Sequence, residues 1–514
     1  MRSDLAKGSL SGVLQVVVTT ALMLVAVPLF VRILGQEAFG LYSLVALVGN
    51  VNTFANLGLN ASLVRSLAEQ GKSMESDLDI MMTLVLLLIV ILPLTGMGFL
   101  LEREVLFGVL NAPPDFAEDA VWLYRSMLVS NVFVLIGGTF TAVLDAQQKV
   151  VLTNLFQMVY TVIYWGLILG ILIAGLPLKA IAIATLVATV IWFVAAGLGM
   201  LRTWGRPGMT GIRAHGMARA KKQLSYGVQL FSAGLINLFY EPLTKLLLAH
   251  FLGVREVGIY DIGMRARNIV TSLSAKLLYP LYPLFARLED PGHLRSYVHD
   301  IEQKSMLLVA PALGIAFLAT GPLVEVMFGP HNELLALTIV WMVSTYLLWS
   351  FTVTPIYVFL MAKDHASLTV LVQIVNVVAN GAVFLVTFSW LGYGSVLAGN
   401  LASNLLTWVL LLFFQWKFLR TLIFDTWKQP FAVVLVISIG LGLSFVFPHV
   451  GGGAGAAFGA SLLVLCITVL VYRWFSVLAV RDVTRYLGDG TAITRCCVWL
   501  LCRQTGSTVT SGGA

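Results

Sequence analysis

Apolar residues in this chain come in long runs, with no strand-like or amphipathic alternation. We mark fourteen segments, at approximately 9–32, 38–64, 79–101, 120–144, 150–174, 178–201, 223–251, 256–285, 304–322, 335–360, 367–390, 394–416, 430–447 and 455–476. A helix rises about 1.5 Å per residue, so about 20 apolar residues cross a bilayer core, with tilt absorbing the surplus of longer runs. Strands need only about half that length. Irregular backbone facing lipid is excluded, because each unpaired amide there costs several kcal/mol. The breaks carry turn and charge signals such as Asn111-Ala-Pro-Pro114, Gly205-Arg-Pro-Gly208 and Glu289-Asp-Pro-Gly292. The pattern predicts an all-α integral membrane protein of about 14 transmembrane helices.

Composition agrees. Of 514 residues, 59% are hydrophobic and 11% charged, with mean hydropathy +0.91, against roughly 45–50% and about 25% in soluble domains. Soluble, secreted, fibrous and disordered classes are thereby excluded. Arg2 and Lys7 precede an apolar run from Gly12 to Val31 that is too long for a signal-peptide core, so we expect a first spanning helix. Cys466, Cys496, Cys497 and Cys502 form no framework and are expected to be reduced. The end, Gly506 to Ala514, has almost no core-forming residues and is expected to be disordered.

Charge adds orientation. With the amino end cytoplasmic, 23 of the 32 Lys and Arg fall in loops on that side and four, Arg32, Arg103, Lys179 and Arg255, on the other. The positive-inside rule then places both termini in the cytoplasm of a cell (inner) membrane protein. The net charge of +7 is thus a topology signal and calls for no nucleic-acid partner.

The chain also repeats itself. Ile33–Tyr42 and Phe251–Tyr260 share Leu-Gly-x4-Gly-x-Tyr at an offset of 218, and Leu144, Ala146, Leu152, Thr153, Leu155, Gln157 and Val159 return 216 residues later. Six helices per copy keep the copies in the same orientation, as parallel repeats. The expected organisation is a six-helix bundle at 1–203, a basic cytoplasmic linker at 204–222, a second bundle at 223–418, two added helices at 419–478 and a cytoplasmic tail at 479–514.

Enzyme motifs are missing. There is no phosphate loop, no His-Glu-x2-His and no paired-Cys metal spacing. We therefore expect no catalytic residue, metal or cofactor, and no enzyme. Glu102, Glu104, Asp115, Glu118 and Asp119 crowd the longest outward loop, where they read as a solvated rim.

Charge within the apolar segments is the informative chemistry, since it needs water, a partner or a ligand. Segment 7 carries Glu241 and Lys245 four residues apart around Pro242, a pair able to neutralise itself. Segment 8 carries Asp261, Arg265, Arg267, Asn268 and Lys276, three cations against one acid. The excess suits an anion, for which Arg265, Arg267, Lys276 and Lys245 of segment 7 are the candidates, and a guanidinium fork suits phosphate; pairing with other helices or snorkelling is the alternative. The amides Asn52, Asn56 and Asn60 follow an i, i+4, i+8 stripe, with Gln15 in segment 1, Gln229 and Asn237 in segment 7 and Asn268 in segment 8. They read either as interhelical glue or as the sugar-accepting lining of a cavity. Glu241, Asp261 and Asp145 are candidate coupling acids.

Leu34-Gly-Gln-Glu-Ala-Phe-Gly-Leu-Tyr-Ser43, its echo at Leu252–Tyr260, and Tyr279-Pro-Leu-Tyr-Pro-Leu-Phe-Ala-Arg287 resemble the polysaccharide and O-antigen flippases of the multidrug/oligosaccharidyl-lipid/polysaccharide exporter superfamily. The resemblance implies two six-helix bundles around a cavity lined by helices 1, 2, 7 and 8. It also implies a polyprenyl-pyrophosphate-linked oligosaccharide as substrate, with Arg265 and Arg267 as basic residues of helix 8. Membrane lipids are implied partners, with polysaccharide polymerase and other assembly enzymes beside them. A multidrug antiporter of the same superfamily, a peptidoglycan-precursor flippase and a membrane glycosyltransferase are the alternatives.

Overall fold

The computed structural model describes residues 2–50, 55–208, 217, 219–221, 223–224, 239–278, 290–363, 365–420, 462–463 and 466–471. Among these residues there is no strand, and 8 helices are long and apolar enough to cross a membrane. The helices are α1 (Arg2–Val45), α2 (Leu59–Gln70), α3 (Met74–Leu100), α4 (Ala117–Ala146), α5 (Val150–Ile173) and α6 (Leu178–Thr203). They continue with α7 (239–251), α8 (Val254–Leu278), α9 (Pro291–Phe328), α10 (Glu333–Ala362), α11 (Ala366–Leu391) and α12 (Gly394–Leu419). Segment 430–447, most of 455–476 and the Tyr279–Arg287 motif lie outside the described residues.

Helix ends follow local chemistry. Ser73 caps α3, its hydroxyl accepting from the Ser76 amide at 3.1 Å, with Glu75 and Asp77 in the first turn beside the positive end of the helix dipole. Asp290 caps α9 by accepting from the amides of Gly292 and His293, and these bonds hold its carboxyl below the usual range.

The break expected between the first two segments falls at Gly35 (φ 87, ψ 166), whose non-helical backbone divides α1 into two helices. A second break differs from the sequence expectation. The predicted segment 38–64 is interrupted: a 3-10 turn covers Ala46–Asn50, and Leu57 (φ 46) and Gly58 (φ 71) turn left-handed before α2. Leu57 gives no turn signal, so the apolar run reads through the break.

The contacts divide the chain into two compact units, Met1–Ile262 with Asn380–Val396, and Gly263–Ala379 with Leu397–Ala514. In the first, α4 is the hub, packing on α1, α2, α3 and α6, while α5 packs on α1 and α6. Gly137 of α4 lets Trp192 of α6 approach so closely that a Cβ would lie 2.5 Å from the indole. The Asn131 amide donates to the Val48 carbonyl at 2.8 Å, satisfying a group that the 3-10 turn leaves open. In the second unit, α9 packs on α10. Val353, Ile356, Phe359, Leu360, Val372, Leu411 and Phe414 form its core.

Candidate functional site

Six of the predicted site residues divide between two surroundings. Lys245 of α7 is 4% exposed. Its ammonium lies 2.7 Å from Glu241 Oε1, one turn back, and 2.5 Å from Asp261 Oδ1 on α8. Beside it the Thr244 hydroxyl donates to the Tyr240 carbonyl at 2.9 Å and accepts from the Asn380 amide at 2.7 Å. The pair expected within segment 7 is therefore joined by a second carboxylate from segment 8. A low-dielectric interior makes such charges costly unless they are paired, and here each acid meets the ammonium.

Arg265 and Arg267 lie further along α8, both partly exposed, with Asn268 exposed. The Arg267 guanidinium sits 3.9 Å from the centroid of Tyr346 on α10, and its Nη1 lies 3.8 Å from the Met264 sulfur. Tyr346 is 1% exposed. Gly263 permits this approach, since a Cβ there would lie 2.7 Å from Thr338 Cγ2 of α10. The next residues of α10 are fixed by α12: Trp341 donates to the Leu397 carbonyl at 3.0 Å, Thr345 to Asn400 at 3.1 Å and Trp349 to Thr407 at 3.0 Å. A guanidinium laid on a ring makes that contact through its face.

The amide stripe is not continuous. Asn56 precedes the left-handed turn, and its Oδ1 accepts from the Asn60 amide at 3.1 Å, capping α2. Asn60 in turn accepts from Thr139 of α4 at 3.1 Å. Both make packing contacts within the first unit. Gln15 is half-buried on α1. Asp145 accepts from Thr153 at 2.8 Å across the α4–α5 turn. Asn52, Gln229 and Asn237 lie outside the described residues, as does the side chain of Lys276.

A third cluster escaped the sequence reading. Asp79 of α3 is 1% exposed, and its Oδ2 accepts from Ser66 at 2.5 Å, Gln70 at 3.3 Å and Arg219 at 3.4 Å. Arg219 also pairs with Glu75, and that hydrogen bond raises its already high pKa. Asp77 accepts from the Trp204 indole at 2.7 Å and the Gly208 amide at 2.9 Å. Lys72 donates to the Trp204 carbonyl at 2.5 Å. Trp204, Gly208 and Arg219 of the basic linker are thus tied to the start of α3. Read as sequence, Arg219 counted only toward topology, and its partners stand about 140 positions away.

Solved structures share the fold at low identity. A lipid II flippase, MurJ, in an inward closed conformation matches at TM-score 0.71 and 13% identity, covering 92% of this chain and 99% of that one. An inward-facing multidrug resistance MATE family transporter of the MOP superfamily matches at 0.62 and 14%, covering 80% and 98%. An outward-facing one matches at 0.56 and 15%, covering 81% and 95%. No curated protein sequence matches the chain. The family model described as polysaccharide biosynthesis protein matches residues 5–289, more than half of the sequence. The chain is a multi-pass membrane protein with the MOP-superfamily transporter fold, and it belongs to the polysaccharide biosynthesis protein family.

Proposed function

We propose that the chain is a flippase, moving polyprenyl-pyrophosphate-linked oligosaccharide from the cytoplasmic to the outer leaflet during cell-surface polysaccharide biosynthesis. The lipid tail stays in the bilayer while the headgroup crosses a wet, cationic cavity by alternating access. The observation that carries this reading is Arg267, partly exposed within an apolar helix and held on the buried face of Tyr346. Arg265 lies two residues before it on α8. A diphosphate carries negative charge that must be met in the membrane, and a positioned guanidinium meets it with parallel N–H donors. Lys276 completes the proposed anion site, whereas Lys245 is committed to Glu241 and Asp261.

Family membership and fold support the same direction. Glu241 and Asp261 are the coupling acids in this reading, because protonating either one redistributes a shared ion pair. Asp145 holds a turn instead. Both termini lie in the cytoplasm, and the polymerase and other assembly enzymes act on the delivered product. A multidrug antiporter would offer its buried acids to a cationic drug. Here those acids already hold an internal ammonium, which disfavours that reading.

The test uses cells lacking this chain, complemented with wild type or with Arg265→Ala plus Arg267→Ala. The expected result is inner-leaflet lipid-linked oligosaccharide accumulating and surface polymer lost, unrescued by a normally expressed double variant. Unchanged glycan with altered resistance to cationic drugs would move the assignment to an antiporter. Arrested cell-wall synthesis with normal surface polymer would move it to a peptidoglycan precursor.

A further inference from the structure

Helix α12 turns its polar residues inward and its apolar ones outward. Ser403, Asn404, Thr407 and Gln415 are buried. On the opposite side Leu406, Val409, Phe413 and Trp416 are each about half exposed. They follow one another at spacings of three, four and three, and Arg420 comes four later, so all five share one helical face. An apolar stripe left open on a spanning helix lies against acyl chains, which are as apolar as leucine. From Leu406 to Trp416 the helix rises about 15 Å, which is about half the hydrocarbon core, the depth of one leaflet.

The stripe runs straight into a cluster of cations and rings. Arg420 turns left-handed (φ 54) just past the helix, its amide donating to the Trp416 carbonyl at 3.1 Å. Its guanidinium carbon lies 4.8 Å from the centroid of the Trp416 ring. The Lys417 ammonium lies 5.6 Å from the centroid of Phe418. His365, from the turn between α10 and α11, stacks on Phe418 at 4.5 Å and 26°. Both segments belong to the second compact unit. Among the described residues neither Lys417 nor Arg420 has a carboxylate partner. A cation held on a ring keeps its charge, so this end of α12 is positive and unneutralised where its lipid-facing stripe stops.

We propose that this end of α12 is a binding site for an anionic phospholipid of the bilayer itself. The acyl chain lies along Leu406, Val409 and Phe413, Trp416 sits at headgroup level, and Lys417 and Arg420 meet the phosphodiester. A free phosphate would use the cations alone; the continuity of stripe and charge selects a lipid. This lipid stays bound and is not carried, and its site is separate from Arg265 and Arg267 on α8. The inference rests on the proposed orientation, which places this end of α12 in the cytoplasmic leaflet, where anionic lipids attract basic side chains.

The test places the full-length chain in nanodiscs of equal phosphatidylglycerol and phosphatidylcholine, beside Lys417→Gln plus Arg420→Gln. Native mass spectrometry of the released protein should find phosphatidylglycerol retained on wild type at least about tenfold over phosphatidylcholine, as two cations near a headgroup imply. The double variant should lose that enrichment, and Arg265→Ala plus Arg267→Ala should keep it. The difference in emission between wild type and Trp416→Phe isolates that indole. Phosphatidylglycerol brominated on its chains should quench it more than brominated phosphatidylcholine. Equal retention of the two lipids by wild type would overturn the site, as would enrichment undiminished in Lys417→Gln plus Arg420→Gln. Equal quenching of Trp416 would overturn it too, and enrichment lost with Arg265 and Arg267 would move the lipid to α8. Enrichment does not depend on orientation, so a reversed topology would change the leaflet and leave the site. Enrichment in a protein that moves no lipid-linked sugar would keep the lipid site and refute the transport reading instead.

Discussion

Lys245 and Arg267 are both cations set in apolar helices, and their surroundings are opposites. Lys245 is buried, with its ammonium held by Glu241 and Asp261. Arg267 is partly exposed, with its guanidinium spread on the Tyr346 ring. Removing one member of a buried ion pair strands the other, so Lys245 matters most to folding. A cation on an aromatic face is held by roughly 0.5–2 kcal/mol and keeps its charge. The contrast separates a charge paired within the fold from one that the proposed function assigns to the substrate.

The sharpest way to break the comparison is Lys245→Met, which leaves Asp261, 5% exposed on its side chain, without its ammonium. We expect a loss of about 3–5 kcal/mol, read as a large fall in melting temperature. Adding Asp261→Asn and Glu241→Gln should recover much of it. Glu241 contributes less, since its one-third exposure lets water screen it. Next, Arg265→Ala plus Arg267→Ala should leave the melting temperature within a few degrees of wild type and abolish transport. Arg267→Lys keeps the charge and loses the planar stack, so partial activity with a raised KM is expected.

Smaller effects sharpen the same line. Arg219→Gln should cost less than Lys245→Met, because Glu75 is exposed and screened and the buried Asp79 keeps its hydrogen bonds from Ser66 and Gln70, and limited proteolysis should then cut the linker faster. The smallest effect belongs to Asp290. Its carboxyl is held below the ordinary value by two backbone amides. The cap's contribution is therefore complete above the unfolded pKa and lost as pH falls through the folded one. Asp290→Asn should flatten that acid limb of a thermal melt, with little change at neutral pH.

How far the sequence carried the account depends on the separation of the partners. Helices α3 to α6 and α10 to α12 were legible because an apolar run and its flanking turns are local signals. The pairing of Glu241 with Lys245 was legible for the same reason, at one helical turn. Asp261 as their third member was not, since it lies on another helix. The stripe of Asn52, Asn56 and Asn60 assumed a continuous helix that Leu57 and Gly58 interrupt. Tyr346 as a platform for Arg267, and Asp79 as an acceptor for Arg219, bring together residues about 80 and 140 positions apart, where periodicity carries no information.

The most direct measurement reconstitutes the full-length chain in liposomes bearing a fluorescent polyprenyl-diphosphate-linked oligosaccharide in one leaflet. Its movement is followed with a quencher confined to the opposite side. The account predicts movement by wild type and none by Arg265→Ala plus Arg267→Ala, with both proteins melting alike. Equal movement by the double variant would contradict the assignment of the diphosphate to α8. No movement by the wild type, in liposomes where it transports a cationic drug, would contradict the flippase itself.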